Sequence, residues 1–530
     1  MTDLTTRLTV IGFCCLFILL GAALIPYAGI QNDEALFATP IYSFNPNHLR
    51  VPLMVMSYVG TLKTVLYLPI FAVAGTSVWS VRLLMVLSGA LTIWFFYCLA
   101  VRVTSRNVAL LACALLATDP AFLLPDTFDW GPVALQQLLL VTACLILVRS
   151  VEPAVSNSAL YLGFGFFFLG LALWNKAVFL WTLAGLFFGT LAIWSTEIRH
   201  LLRPRNVTFV AAGFLLGASP IIIYNLQNPN ITIESSGHFE ASRLAGKLRM
   251  EYNTLNGSGV LGFIPAEEWR DHPKEPSSRR GRAALWIRNH FGEHRTDGLA
   301  YAFILGVLAV PLWWHSRAAR FSLVFLITAW FAMALTRGAG GAVHHSVLLW
   351  PFPHLFIAIV LSSVPWSRVG VFACVVLVAF NLLVVNQHIL QLERDGAEGN
   401  FTDALFSLSN AVADPTGAAP DQPIYVLDWG MLNTLELFHH GRLLLRPADG
   451  PFMTDTPSDI DLRTIQLMLS DPNALFINHV PAREEMPGVI GRFERTIEKN
   501  GYEKRSIRII PDSNGHPVFE IFQLRKIGTA

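Results

Sequence analysis

The chain has 530 residues, of which 53% are hydrophobic and only 14% charged, against about 25% charged in a soluble globular protein, so a plain soluble enzyme is excluded. Thirty-eight Lys and Arg against 37 Asp and Glu leave a formal charge of +1, which gives no global basic field to gather nucleic acid, and no nucleic-acid partner is expected. Cys14, Cys15, Cys98, Cys113, Cys144 and Cys374 all lie inside apolar runs, which excludes a disulfide framework and a zinc-finger pattern.

A bilayer core of about 30 Å takes roughly 20 apolar residues per helix. Such runs recur at residues 8–28, 79–101, 107–124, 131–149, 158–174, 177–194, 206–224, 299–315, 321–336, 347–364 and 369–386, so eleven spans are predicted. Arg7 before the first run is a signal-peptide feature, but the run's length and the bulky Ile25-Pro26-Tyr27 at its end make it a retained anchor. Short loops keep Lys and Arg on the cytoplasmic side. With Arg7 inside, Arg102, Arg106, Arg149, Arg199, Arg203, Arg205, Arg317, Arg320 and Arg368 fall inside as well. The outer side then receives the segment 29–78, the turn from Asp126 to Trp130, the Asn175-Lys176 turn, the loop 225–298, the turn from Arg337 to Ser346, and the chain after about residue 387.

From Gln387 onward the composition is that of a globular unit. Pro423 to Asp428 and Ala474 to Asn478 read as strands, Met431 to His439 as a helix, and Ser506 to Ile510 with Val518 to Leu524 as a closing strand pair. The predicted architecture is a polytopic α-helical membrane domain over 1–386, with outer loops 29–78 and 225–298, followed by an extracytoplasmic α/β domain over 387–530.

Ionisable groups in or beside spans are unfavourable unless paired or facing water, so each can be weighed singly. Asp33 and Glu34 follow the first span at once. Adjacent helical residues point about 100° apart, so at most one of the two carboxylates faces a given site. Asn32 or Asp33 is equally suited to cap a short helix there. Asp126 and Asp129 occupy the next outer turn, where Asp129 before Gly131-Pro132 has the look of a helix start. If Asp33 and Asp129 meet, one can accept a proton while the other orients a substrate hydroxyl or holds a divalent cation, the one candidate cofactor. Lys176 is either a turn marker or an anion contact. Lys63, Arg50 and Arg82 belong to or border the first outer segment, with snorkelling as the alternative for each. His344-His345 are candidates for phosphate or metal contact, although adjacent histidines chelate poorly. No P-loop, G-x-S-x-G or H-E-x-x-H pattern is present.

Taken in order, these pieces resemble the lipid-phosphosugar-dependent glycosyltransferases of the GT-C type. The group is glycosyltransferase family 39 and its bacterial relatives: protein O-mannosyltransferases, the aminoarabinose transferase acting on lipid A, and lipopolysaccharide core galacturonosyltransferases. Asn32-Asp-Glu-Ala-Leu-Phe-Ala38 resembles the acidic motif of the family's first outer loop. Leu62-Lys63-Thr-Val-Leu-Tyr67 with Val81-Arg82-Leu83 resembles its Lys-containing segment and the Arg-Leu opening its second span. Asp129-Trp-Gly-Pro132 is similar to its Asp before a Pro, Trp174-Asn-Lys176 to its Lys between spans five and six, and His345-Ser-Val-Leu-Leu-Trp-Pro-Phe-Pro353 to its late basic turn. The resemblance covers roughly residues 1–370. Two departures stand out: Lys63 lacks closely following prolines, and His344-His345 stand where relatives often carry Arg-Tyr.

The resemblance implies a GT-C membrane protein of a bacterial inner membrane, with its active site and C-terminal domain on the periplasmic side. It implies inverting transfer of a sugar from a polyprenyl-phosphate-linked donor to an acceptor hydroxyl on a lipid, glycan or protein, among membrane lipids. Asp33 would be the general base, Asp129 would orient acceptor or donor, and Glu34 would assist. Lys63, Arg50, Arg82 and Lys176 would meet the phosphate, with Asp126, His344 and His345 as further substrate contacts. The competing reading is a transporter or flippase of a lipid-linked sugar, which intramembrane charges also mark. Against it, the ionisable groups gather on one side and show no inverted repeat. A sensor is a third class, and the cytoplasmic loops are too short to hold its signalling module.

Overall fold

The computed structural model describes residues 4–42, 52–153, 155, 157–267, 274–413 and 422–528. Arg50 lies outside the described residues. The membrane part opens with α1 (Leu4–Leu24), the short helix α2 (Asn32–Leu36), a small antiparallel ladder of β1 (Met54–Met56) and β2 (Val59–Gly60), and α3 (Leu62–Ala74). There follow α4 (Val78–Val103), α5 (Arg106–Thr118), α6 (Pro120–Thr127), α7 (Val133–Ser150), α8 (Ser158–Asn175), α9 (Leu180–Leu201) and α10 (Pro204–Gln227). The long loop before α14 holds α11 (Ile231–Ser236), α12 (Leu244–Leu255) and α13 (Arg279–Phe291). The chain then re-enters through α14 (Leu299–Leu308), α15 (Val310–Trp313), α16 (Arg317–Ala334), α17 (Val343–Ser346), α18 (Phe352–Ser362) and α19 (Ser367–Asp395).

Among the described residues eight helices are long and apolar enough to cross a membrane, and two bent pairs, broken by 55° between α5 and α6 and by 52° before α18, bring the number to ten. The predicted span 299–315 accounts for the difference from eleven. It is split at Ala309 (φ −80°, ψ 50°), just ahead of Pro311 in α15. Proline lacks the N–H a continuing helix needs, and its ring clashes with the preceding turn, so the segment is carried by two pieces, α14 and α15, neither of crossing length alone, that together lead from Asp297, bonded to Asn256, to Arg317, paired with Glu197 at the far end of α9. The helices pack closely where small residues allow it: Gly213 and Gly217 of α10 lie against the backbone of Gly163 and Phe167 of α8, leaving no room for a Cβ.

α19 carries on past residue 386 to Asp395. Its apolar composition ends near the predicted domain boundary while the helix does not, because Gln387, His388 and Gln391 turn inward and are buried. Beyond it α20 (Ala404–Ala413) leads into a five-stranded sheet of order β4-β3-β5-β7-β6. Its strands are β3 (Pro423–Val426), β4 (Leu444–Pro447), β5 (Leu475–His479), β6 (Tyr502–Pro511) and β7 (Pro517–Lys526), with α21 (Leu432–Phe438), α22 (Asp459–Ser470) and α23 (Val489–Lys499) between them. β3 runs parallel to both β4 and β5, as a β-α-β arrangement requires, while β7 is antiparallel to β5 and β6. Every residue of β3 and β5 is buried. That is why they read as continuous apolar runs in the sequence.

The sheet unit touches the membrane part at one place that matters for chemistry. Gly29 N donates to Phe401 O at 2.8 Å, Thr434 Oγ1 to Ile30 O at 2.9 Å, and Asn433 N to Asn32 Oδ1 at 3.3 Å. These bonds hold the link from α1 into α2, the segment that carries Asp33.

Candidate active site

The site begins with how α2 is capped. Gln31, and neither Asn32 nor Asp33, is the capping residue: its side chain accepts from Asp33 N at 2.7 Å and Glu34 N at 3.1 Å, and Glu34 Oε2 accepts from Gln31 N at 3.3 Å. This reciprocal box satisfies the first turn without the Asp33 carboxylate. Asp33 is therefore released from the capping role that competed with catalysis, and it is only half-buried.

Glu34 and Arg82 meet each other. Arg82 Nε and Nη2 donate to the two Glu34 oxygens at 2.7 and 2.9 Å, and its remaining N–H groups reach the carbonyls of Ile25, Ala28 and Gly29 at 2.6–2.8 Å. Both side chains are fully buried. A guanidinium has five N–H donors, all engaged here, so Arg82 has none left for a substrate phosphate. The pair ties the α1–α2 link onto α4.

Lys63, fully buried near the start of α3, is ion-paired with Asp129 and stands 4.6 Å and 5.4 Å from the ring centres of Phe37 and Tyr67. Burial pulls its ammonium down to about 7, and Glu34 and Asp33 pull it back. Contact with Asp129 acts in the same restoring direction. Asp129 itself sits at φ +42°, a conformation few non-glycine residues adopt, within the turn whose Gly131 is at φ +75°. Strain of that kind collects where geometry serves chemistry.

Lys176 fills the turn between α8 and the next helix, with 3% of its surface exposed. Its backbone is fixed by the bridge to Val59 and by the bond from Ala177 N to Tyr58 O, and Nζ donates to Gly131 O at 3.1 Å. Burial lowers it to about 8, with Asp33 opposing. Asp33 is raised by burial, against the Gln31 hydrogen bond, Lys176 and Lys63. The result is a carboxylate that faces two ammonium groups without direct ion pairing to either among the described contacts.

Gly131 links this floor to a roof. A methyl added there would stand 3.4 Å from Lys176 Nζ and 3.7 Å from a ring carbon of His344. Trp130 packs on His344 with ring centres 4.4 Å apart, and His344 on His345 at 4.2 Å. The structure thus brings together Asp33, Lys63, Asp129, Lys176, His344 and His345. Asp126 is not among them: it is buried on α6 and turned toward Phe17 and Gly89, on the α1–α4 side. Sequence reading missed Gln31, Glu251 and Ser346. Glu251 stands four residues after Lys247, a spacing that ordinarily marks a solvent-exposed pair, yet Lys247 is buried and bonded to carbonyls elsewhere.

Fold and site together define a multi-pass membrane protein of the GT-C fold, with a charged centre at one end of its helices. Residues 65–224 match the family described as dolichyl-phosphate-mannose-protein mannosyltransferase. Among solved structures, ArnT from Cupriavidus metallidurans bound to undecaprenyl phosphate aligns with a TM-score of 0.62 at 12% identity, over 97% of this chain and 97% of that one. The Archaeoglobus fulgidus oligosaccharyltransferase in complex with Zn and sulfate aligns at 0.53 and 14% identity, over 98% of this chain and 73% of that one. The apo form of the same ArnT aligns at 0.52 and 14%, over 97% of each chain. By sequence, no curated protein matches. At these identities the likeness is one of fold.

A divalent cation suits this donor set poorly. Asp129 is taken by Lys63, and Asp33 lies in the field of two ammonium groups that would repel the ion. Among the described residues no three His, Cys, Asp or Glu side chains gather as a metal site.

Proposed function

We propose that the protein is an inverting glycosyltransferase that moves a sugar from a polyprenyl-phosphate donor to an acceptor hydroxyl on a lipid, glycan or protein. In this reading it sits in a bacterial inner membrane, with the charged centre and the C-terminal sheet unit facing the periplasm. Support comes from the GT-C fold, the mannosyltransferase family match over residues 65–224, and the undecaprenyl phosphate bound by the ArnT of similar fold. The observation that carries the reading is the half-buried Asp33 carboxylate beside the buried ammonium groups of Lys63 and Lys176.

Asp33 accepts the proton of the acceptor hydroxyl as that oxygen bonds to the anomeric carbon. The bond from that carbon to the phosphate oxygen breaks on the opposite face, which inverts the configuration, and its electron pair leaves with the polyprenyl phosphate. The negative charge gained by the phosphate develops toward Lys63 and Lys176, where fixed cations in a dry site lower a barrier most. Asp129 pairs with Lys63 and aims it, and Glu34 with Arg82 holds the segment that presents Asp33. No step runs through a divalent cation.

Purified protein given polyprenyl-phosphomannose and a lipid or peptide acceptor mixture tests the reading. A new glycosidic product together with free polyprenyl phosphate is expected. Movement of intact donor across a vesicle bilayer with no product would be the result of a transporter.

A further inference from the structure

α13 carries a concentration of positive charge that the proposed chemistry leaves unused. It packs along α19 through Gly281 and Ala284, its buried residues. Gly281 lies against Glu393, beyond the apolar stretch of α19; Asn386 Nδ2, where that stretch ends, donates to Ala284 O at 3.0 Å; and the His294 ring, just past α13, is centred 5.3 Å from that of Phe380, within the stretch. On its other flank Arg280 Nη1 donates to Ala23 O at 3.2 Å, in the last turn of α1. The helix therefore straddles the boundary between apolar core and water, on the side that carries Asp33. Its outward face presents Arg279, Arg282 and Trp286, at spacings of three and four that share one side of a helix, with Arg280 beside them, all exposed. Trp286 is 57% exposed and Phe291, at the membrane-facing end, 60%.

We infer that this face of α13 binds the phosphate headgroup of an anionic membrane lipid, with Arg279 and Arg282 on the phosphate and Trp286 against the glycerol and upper acyl chain. From Lys274 to Arg295 six Lys and Arg stand against two Glu, Glu275 and Glu293. Glu393 and Glu267 reach the helix and its exit from elsewhere, at Gly281 and Arg295, and still leave the surface net positive. Glu293 pairs with Arg288 and Arg295, away from the first turn of α13. Arg280 and Arg282 donate to backbone carbonyls, of Ala23 and Ser277, and Arg279 has no ion-pair partner among the described residues. Arginines above exposed aromatic rings suit a lipid whose phosphate meets a guanidinium while its chains pass an indole. A zwitterionic headgroup has a phosphate too, but its own cation is repelled by the same arginines, so a net negative headgroup is favoured. The inference needs helices that cross a membrane and does not depend on sugar transfer.

Trp286 is itself the reporter for the test. The full chain is placed in bilayers of phosphatidylglycerol and phosphatidylcholine in which one lipid carries bromine on its acyl chains, and the quenching owed to Trp286 is the difference between the wild type and Trp286→Phe. Because bromine quenches only at contact, binding of anionic lipid at the charged centre does not register. Phosphatidylglycerol is expected to be preferred over phosphatidylcholine at Trp286 by about tenfold, in keeping with the attraction of several basic residues to anionic lipid. Arg279→Gln with Arg282→Gln, in backgrounds with and without Trp286, is expected to remove most of that preference, and Arg279→Lys with Arg282→Lys to keep most of it. Equal quenching by the two brominated lipids overturns the inference, as does a preference that survives the Gln pair. Loss in the Lys pair as large as in the Gln pair would tie the arginines to the fold and overturn it as well. Inorganic phosphate that erases the preference where chloride of equal ionic strength does not would make this a site for free phosphate and overturn the assignment to lipid.

Discussion

Lys63 and Lys176 both carry charges that neutral pH can remove, and Lys176 is the one without an ion-pair partner among the described residues. Lowered to about 8 and bonded to a single carbonyl, it loses its proton as pH rises through that value, while Lys63, lowered to about 7, loses its own earlier. Asp33, raised by burial, must lose its proton to act as base. Activity of the free enzyme should therefore rise with pH as Asp33, raised by burial, deprotonates, and fall between about pH 7 and 8 as Lys63 and Lys176 neutralise. A bound phosphate stabilises the ammonium, so the alkaline fall belongs to kcat/KM more than to kcat. Lys176→Arg keeps the cation at every accessible pH, and its kcat/KM profile should lose the Lys176 part of the alkaline limb, leaving a shallower fall set by Lys63 alone. An unchanged alkaline limb would remove Lys176 from donor capture.

At the scale of the elements, Glu34 and Arg82 clamp the α1–α2 link to α4. Breaking one partner of a buried ion pair leaves an uncompensated charge, at about 3–5 kcal/mol. Glu34→Gln is thus expected to lower the stability of the detergent-solubilised protein by about that much in denaturant titration, and Glu34→Gln with Arg82→Met to recover part of it. A single variant as stable as the wild type would show the pair to be dispensable. This clamp marks the limit of what sequence patterning reveals. Asp33, Lys63, Asp129 and Lys176 were legible because charges at the ends of apolar runs are few and each invites a reason. That Glu34 would be consumed by Arg82, or Asp126 turned to the α1–α4 side, depends on which helices pack together. Spacing along the chain does not encode that. The same holds for Gln31, whose capping role needed the Q-x-x-E box to be preferred over two better-known capping residues one and two positions on.

For the whole molecule, ten of the eleven predicted spans coincide with helices or bent helix pairs of crossing length among the described residues, because apolar length is what hydropathy reads. The eleventh, 299–315, is broken ahead of Pro311 into two short helices where composition is continuous. In the C-terminal unit the buried strands β3 and β5 were readable, whereas edge strand β4 is largely exposed and its short run Leu443 to Leu445 is closed in by Arg442 and Arg446-Pro447. Orientation is independently testable: a cysteine placed at Ser513, in the turn between β6 and β7, should react with an impermeant thiol reagent in intact spheroplasts, and one at Ser316, before α16, should not. The opposite labelling would move the charged centre to the cytoplasmic side. The account as a whole turns on Asp33, since the cap of α2 has passed to Gln31 and the neighbouring carboxylate to Arg82. Asp33→Asn preserves size and hydrogen bonding but cannot take a proton. Its transfer rate from polyprenyl-phosphosugar, measured beside donor binding, is predicted to fall on the order of 10²–10⁴-fold with binding retained, whereas turnover close to the wild type would contradict the assignment of Asp33 as the base.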